Sequence, residues 1–255
     1  MSDVDADVTV RSEVIGRVLV VRLEREHKRN AIDETMATGI GDALDHLDDD
    51  PELWAGVLTG TPNVFSAGTD MRAGVHRTDR GGQYGVIQRV RTKPLIAAVE
   101  GPALGGGMEV VLACDLVVAA TTAVFGLPEV QRSLVPICGG VFRAPRALPL
   151  NVARELLLTG DPIDAERAER LGFVSRVVAP GEALGAAVAL AERICRNGPV
   201  AVRETMRVLN EIAAADEAVG WHETDHAEEV VRTSADTIEG VTAFFERREP
   251  RWSGR

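Results

Sequence analysis

The sequence predicts an α/β body followed by a helical C-terminal part, and three observations lead to that class. Short apolar runs such as Arg17 to Leu23 and Leu95 to Val99 alternate with segments of helical period up to about residue 150. Beyond that point helical segments with clear start and stop residues dominate. From Pro180 onward the chain is rich in Ala, Glu and Arg and holds no convincing strand.

Arg17 to Leu23, rich in Val and Leu, reads as the first strand. Asp33 is placed to cap a helix that carries Met36, Ile40, Leu44 and Leu47 on one face. Pro51 follows that helix, and Ala55 to Leu58 gives a second strand before Thr59-Gly60. Further strands are expected at Leu95 to Val99, Asp115 to Ala120 and Ala123 to Phe125. Asn151 to Thr159 reads as a helix stopped by Gly160, and Asp164 caps another that runs to Leu171-Gly172. Phe173 to Val178 completes the strands. Asp236-Thr237-Ile238-Glu239 has the pattern of a capping box for the helix carrying Val241, Phe244 and Phe245.

A chain of 255 residues can bury one large core with a small second unit, and 45% hydrophobic with 26% charged residues is a globular composition. The net charge of −11 excludes a broad cationic face for nucleic acid. Local basic spots at Lys28-Arg29 and Arg247-Arg248 still suit a small polyanion. Cys114, Cys138 and Cys195 are widely spaced without a CxxC pair, as expected of free thiols in a reducing compartment. The acidic start, Met1 to Asp7, has no apolar signal segment, and no apolar run is long enough to span a bilayer. The expected location is the cytoplasm.

The motif that stands out first is Trp221 to His226, "WHETDH", which contains HExxH. Two histidines four apart share a helix face and can hold zinc, with the glutamate activating water. Here acidic neighbours surround the pair, and Glu228 and Glu229 lie too close in sequence to supply the third ligand. A polar helix face is the expected reading, with no metal.

More informative is Glu100 to Asp115, "EGPALGGGMEVVLACD". A strand ends, three glycines follow at 105 to 107, and Met108 to Leu112 opens a helix. Consecutive glycines at a helix start expose N–H groups to an anion or a developing oxyanion, or else serve only close packing. The stretch is neither a P-loop, lacking GK[ST], nor a dinucleotide fingerprint, because Val110 stands where the third glycine belongs. Val64 to Asp70 offers a second small-residue turn after a strand. In Phe125 to Glu129 a proline fixes the backbone just before a carboxylate.

Taken together, these segments resemble the crotonase (enoyl-CoA hydratase/isomerase) superfamily from about residue 13 to 252. The resemblance is carried by "HKRNAI" (27–32), "FSAGTD" (65–70), "EGPALGGGMEVVLACDLVVA" (100–119), "FGLPEV" (125–130), "LTGDPIDAERAERLGFVSRVV" (158–178) and "EGVTAFFERREPRW" (239–252). It implies a spiral of repeated ββα units. Residues 1–198 would form the core with the acyl-CoA site, and 199–255 a helical region for trimers or dimers of trimers. By motif position, the backbone N–H groups of Ala67 and Gly106 would hold the thioester oxygen, and Glu109 and Glu129 would flank the C2=C3 bond. Either glutamate could be the base. Coenzyme A would enter only as part of the substrate, with no separate cofactor. Lys28, Arg29, Ala31, Ser66, Gly68, Thr69, Asp70 and Gly105 would line its path, and Phe244 and Arg247 would reach the coenzyme of a neighbouring subunit. The implied activity is addition of water to a 2-enoyl-CoA. Double-bond isomerisation, other enolate chemistry and a non-catalytic acyl-CoA binder are the alternatives. One departure is Ile137, in Pro136 to Gly140, where many hydratases have glycine; its bulk would reshape the pocket. The segment from Arg72 to Gln88, with His76, Arg77 and Arg80, would border the acyl group.

Overall fold

The computed structural model describes residues 9–255, so the acidic start at Met1 to Asp7 lies outside the described residues. The chain opens with strands β1 (Val10–Ile15) and β2 (Val18–Leu23), helix α1 (Glu34–Asp49) and strand β3 (Ala55–Thr59). A small hairpin follows, β4 (Arg77–Thr78) and β5 (Gly82–Gln83), then β6 (Leu95–Val99), β7 (Ala103–Leu104) and helix α2 (Gly106–Leu112). Next come β8 (Leu116–Ala120), β9 (Val124–Gly126), α3 (Gly140–Ala147), α4 (Leu150–Thr159), β10 (Ile163–Asp164), α5 (Ala165–Arg170) and β11 (Arg176–Val178). Three helices end the chain: α6 (Ala183–Cys195), α7 (Pro199–Arg232) and α8 (Ala235–Glu246).

Six strands form the main sheet in the order β1-β2-β3-β6-β8-β11. Pairings from β2 to β11 are parallel, and β1 joins β2 antiparallel. A parallel sheet must be covered on both faces, so its strands read as continuous apolar runs. Leu19, Val21, Leu58, Ala97, Val99 and Ala119 face the larger core with α1, while Val18, Val20, Val57, Ile96, Ala98 and Val118 face α6 through Ala187 and Ala191. The period-two alternation of each strand thus feeds two separate cores.

Helix α1 forms as its spacing predicts. The Asp33 carboxylate accepts the Met36 N–H at 3.0 Å, and Met36, Ile40, Leu44 and Leu47 are all fully buried. Truncating Leu44 to alanine there costs about 3 kcal/mol. Gly160, at φ +74°, ends α4, and Asp164 caps α5 through the Arg167 N–H. One strand went unread and one expectation needs correction. Strand β1 escaped the sequence reading because it is an edge strand with five of its six residues exposed. The cap of α8 is Ser234, which accepts the Thr237 N–H at 3.1 Å, rather than Asp236. Asp236 instead receives the N–H groups of Ser253 and Gly254, and Glu239 binds Arg248, so both acids tie the chain end to the helix. All three cysteines are free.

Candidate active site

Strands β3 and β6 are parallel neighbours, so the loops leaving their carboxyl ends emerge side by side. The two loops are stitched together by a bridge between Ser66 and Ala103 and by the Leu104 N–H donating to Ser66 O at 2.9 Å. A third loop, from the 25–32 segment, is locked on by buried Asn30. Its side-chain amide donates to Val64 O at 3.0 Å and Phe65 O at 3.1 Å. Arg29 and Asn30 both take positive φ (54° and 51°), which Asn tolerates better than most residues.

Within this junction the expected role of Ala67 is corrected. Its N–H donates to Arg29 O at 2.9 Å and so is already committed. Gly68 O accepts from Ile32 N–H, and Asp70 N–H donates to Ile32 O. Alternation along this extended segment turns the Thr69 N–H to the opposite side, where it has no acceptor among the described residues. The Gly106 N–H, at the start of α2, is likewise unpartnered among them. A Cβ built on Gly68 would lie 2.7 Å from Gly106 N, so the two turns touch and only glycine fits between them. Gly105 (φ +56°) completes the turn, and a Cβ there would press on Glu129 Oε1 at 3.1 Å.

Helix α2 carries Glu109 into the interior, where the residue is 2% exposed. Its Oε1 accepts two backbone N–H bonds, from Cys138 at 2.7 Å and Gly140 at 2.9 Å. Burial nevertheless outweighs these bonds and pushes its pKa up to about 7. Pro128 starts the short 3-10 turn that presents Glu129. Burial, and then the charge of Glu109, push Glu129 up to about 8, and its buried Oε2 has no hydrogen-bond partner. The two carboxyls share a cavity of about 290 Å³ with Thr69, Tyr84 and Ile137. Two carboxyls so placed hold one proton between them near neutrality, with the charge favoured on Glu109, whose Oε1 receives two backbone N–H bonds.

Thr69 and Glu129 also face a larger adjoining cleft of about 940 Å³. Lys28, Arg29, Ala31, Ala67, Asp70, Gly105, Gly106, Phe244 and Arg247 all line it. Ser66 does not. It is fully buried, donating to Asn30 O at 2.7 Å and accepting from Gly68 N–H, so its work is structural. Asp70 is bound to Arg25 at 3.0 Å; burial opposes its ionisation, but Arg25 and the Arg72 N–H hold its pKa below the usual range. Lys28, Arg29 and Arg247 have no carboxylate partner among the described residues, which concentrates free positive charge on one wall of an acidic protein. Phe244, on α8, and Arg247, the residue that follows the helix, line the cleft of their own chain. Helix α8 is seated here partly by Arg132, whose guanidinium lies 4.6 Å from the Phe244 ring centre.

The sequence reading missed Tyr84, Arg25 and the two N–H donors to Glu109. Of these only Arg25, beside the basic 27–29 run, left a signal in the sequence. The HExxH letters fall on α7 with both His222 and His226 exposed, while Trp221 packs edge-on against Phe142 at 4.9 Å. Among the described residues no three His, Cys, Asp or Glu side chains converge as a metal site.

Comparison with known proteins gives a family match over nearly the whole chain. A family model described as enoyl-CoA hydratase/isomerase matches residues 13–255. The chain is 36% identical to the enoyl-CoA hydratase EchA19 of Mycobacterium tuberculosis, with 100% of each covered. It is 37% identical to a carnitinyl-CoA dehydratase of Salmonella enteritidis, over 94% of this chain and 96% of the relative. A crystal structure of carnitinyl-CoA hydratase from Mycobacterium avium superposes with a TM-score of 0.92 at 40% identity, covering 97% of this chain and 99% of that one.

Proposed function

Because the chain belongs to the enoyl-CoA hydratase/isomerase family and has its crotonase fold, we propose that it is an enoyl-CoA hydratase whose site uses Glu109, Glu129 and the N–H groups of Thr69 and Gly106. The observation that carries the reading is one junction holding two carboxyls of raised pKa, Glu109 buried and Glu129 half-buried, beside two backbone donors that have no partner among the described residues.

The thioester oxygen of a 2-enoyl-CoA accepts the Thr69 and Gly106 N–H bonds. Ionised Glu109 takes a proton from water as the water oxygen bonds to C3. The π electrons move through C2 onto the thioester oxygen, giving an enolate that the two donors stabilise more than the neutral carbonyl. Protonated Glu129 then delivers its proton to C2, on the same face, giving the 3-hydroxyacyl-CoA. Proton exchange between the carboxyls restores the starting state. Dehydration is the same path in reverse. Every step is acid–base chemistry, so the reaction itself calls for no redox or metal cofactor.

Lys28, Arg29 and Arg247 hold the phosphates of coenzyme A in the larger cleft, and the acyl group enters the smaller cavity against Ile137. Residues 199–255 serve as the oligomerisation region of a trimer or dimer of trimers. Ile212, Val219 and Val230 of α7 support this, being 65%, 66% and 56% exposed in the single chain. Cytoplasmic residence belongs to the same reading and fits the three free thiols; among the described residues no helix is long and apolar enough to cross a membrane.

The test is a panel of 2-enoyl-CoA thioesters followed by loss of conjugated-thioester absorbance and by product mass. A gain of one water supports the reading. An unchanged mass with a moved double bond makes the protein an isomerase, and binding without turnover makes it an acyl-CoA binder.

A further inference from the structure

Tyr84 has no part in the steps above, yet it is the largest fully buried side chain of the site, 1% exposed. It is held at φ +55°, between Gly82 at +63° and Gly85 at +75°. For a bulky residue this conformation costs about 1–2 kcal/mol, and such costs persist only where the surroundings impose them. The strained turn aims the ring at the junction of the two glycine loops. Tyr84 Oη lies 2.5 Å from Thr69 Oγ1. A Cβ built on Gly106 would stand 2.5 Å from Oη and 2.9 Å from Cζ. One ring therefore touches both residues whose N–H groups are free, while facing the cavity that holds Glu109 and Glu129.

We infer that Tyr84 is a positioning residue for the carbonyl-binding pair: its hydroxyl anchors Thr69 and its ring backs Gly106, fixing the spacing between the two N–H donors. Nothing else among the described residues does both. The Thr69 side chain has no other hydrogen-bond partner there, and Gly106 has no side chain by which to be held. A phenylalanine would fill the same space, so packing alone does not explain a hydroxyl taken out of water; its bond to Thr69 does. The inference rests on the reading of Thr69 and Gly106 as donors to a thioester oxygen.

Two readouts test it in full-length protein. Steady-state hydration is measured for Tyr84→Phe, Thr69→Val, the double variant and Thr69→Ser. Separately, bound acetoacetyl-CoA reports the donor pair without turnover, because its enolate has its own ultraviolet band and grows with stabilisation of the oxygen. Tyr84→Phe and Thr69→Val should each lower kcat on the order of 10- to 100-fold with KM little changed. The double variant should be no worse than the weaker single, because both changes break one bond. Thr69→Ser, which keeps the hydroxyl, should retain most activity, and the enolate band should shrink in Tyr84→Phe. An unchanged kcat and enolate band in Tyr84→Phe, or additive losses in the double variant, would overturn the inference. If the wild type hydrates no enoyl-CoA while the enolate band still falls in Tyr84→Phe, the hydratase reading fails and the role of Tyr84 stands.

Discussion

The backbone N–H of Cys138 donates to Glu109 Oε1 at 2.7 Å, which fastens one member of the carboxyl pair to the segment that also carries Ile137. Glu129 receives no equivalent bond on its buried Oε2. In the proposed mechanism that asymmetry favours the charge on Glu109 and the proton on Glu129.

The first prediction concerns the pH dependence of kcat/KM. Glu109 must be ionised, with a pKa of about 7, and Glu129 protonated, with a pKa of about 8. A narrow bell centred between those values is expected, its limbs belonging to the pair rather than to either residue. A profile flat from pH 6 to 9 would remove the coupled pair from the rate-determining step.

Stability should carry the same signature with a definite sign. Glu129 titrates at about 8 in the folded chain and near 4.5 when unperturbed, so the folded state binds the extra proton between those values. Raising the pH through that window therefore destabilises the wild type. Glu129→Gln cannot ionise and escapes the loss, on the order of 2 kcal/mol after allowance for solvent access. Thermal melting should place the variant about 5 °C above wild type at pH 8.5 and level with it at pH 5. Equal melting temperatures at both values would contradict the raised pKa.

Steric change at the donors is expected to act on chemistry rather than binding. Gly106→Ala sets a Cβ 2.5 Å from the Tyr84 hydroxyl, so either the ring or the donor must move. Losing one such donor costs about 3 kcal/mol in transition-state stabilisation, roughly 100-fold in kcat. Ala67→Gly, which touches neither free N–H, should by contrast leave kcat within a few fold. An unchanged kcat in Gly106→Ala would contradict the placing of that N–H in the carbonyl-binding pair.

Coenzyme recognition should separate from catalysis. Lys28→Ala and Arg247→Ala each remove a cation from the cleft wall, for an expected rise of about threefold in KM with kcat held. The effect should fade at high salt, as exposed charges are screened. A change in kcat without one in KM would place these residues elsewhere in the mechanism.

Much of this arrangement was legible in the sequence because it is written in local chemistry. Asp33, Gly160 and Asp164 bound their helices by capping, and the apolar runs of β2, β3 and β6 became strands covered on both faces. The two glutamates were marked by the glycines and proline beside them. What was not legible depends on contacts far apart in sequence. Which backbone N–H remains free at 67 or 69 is set by Arg29 O and Ile32 O on another loop. The Glu109 partners lie 29 and 31 residues away, and Tyr84 reaches Thr69 through a turn whose conformation no apolar period announces. HExxH illustrates the converse: its letters suited a helix face, but convergence of a third ligand is a tertiary property.

The most direct measurement of the central claim is the hydration rate and product mass with crotonyl-CoA for wild type, Glu109→Gln and Glu129→Gln at pH 7.5. Wild type should yield a product heavier by one water. Each variant should make the same product more slowly, by about 10²- to 10⁴-fold, as expected when a general base or acid is lost. Full hydratase activity in both glutamine variants would contradict the claim that these two carboxyls perform the reaction.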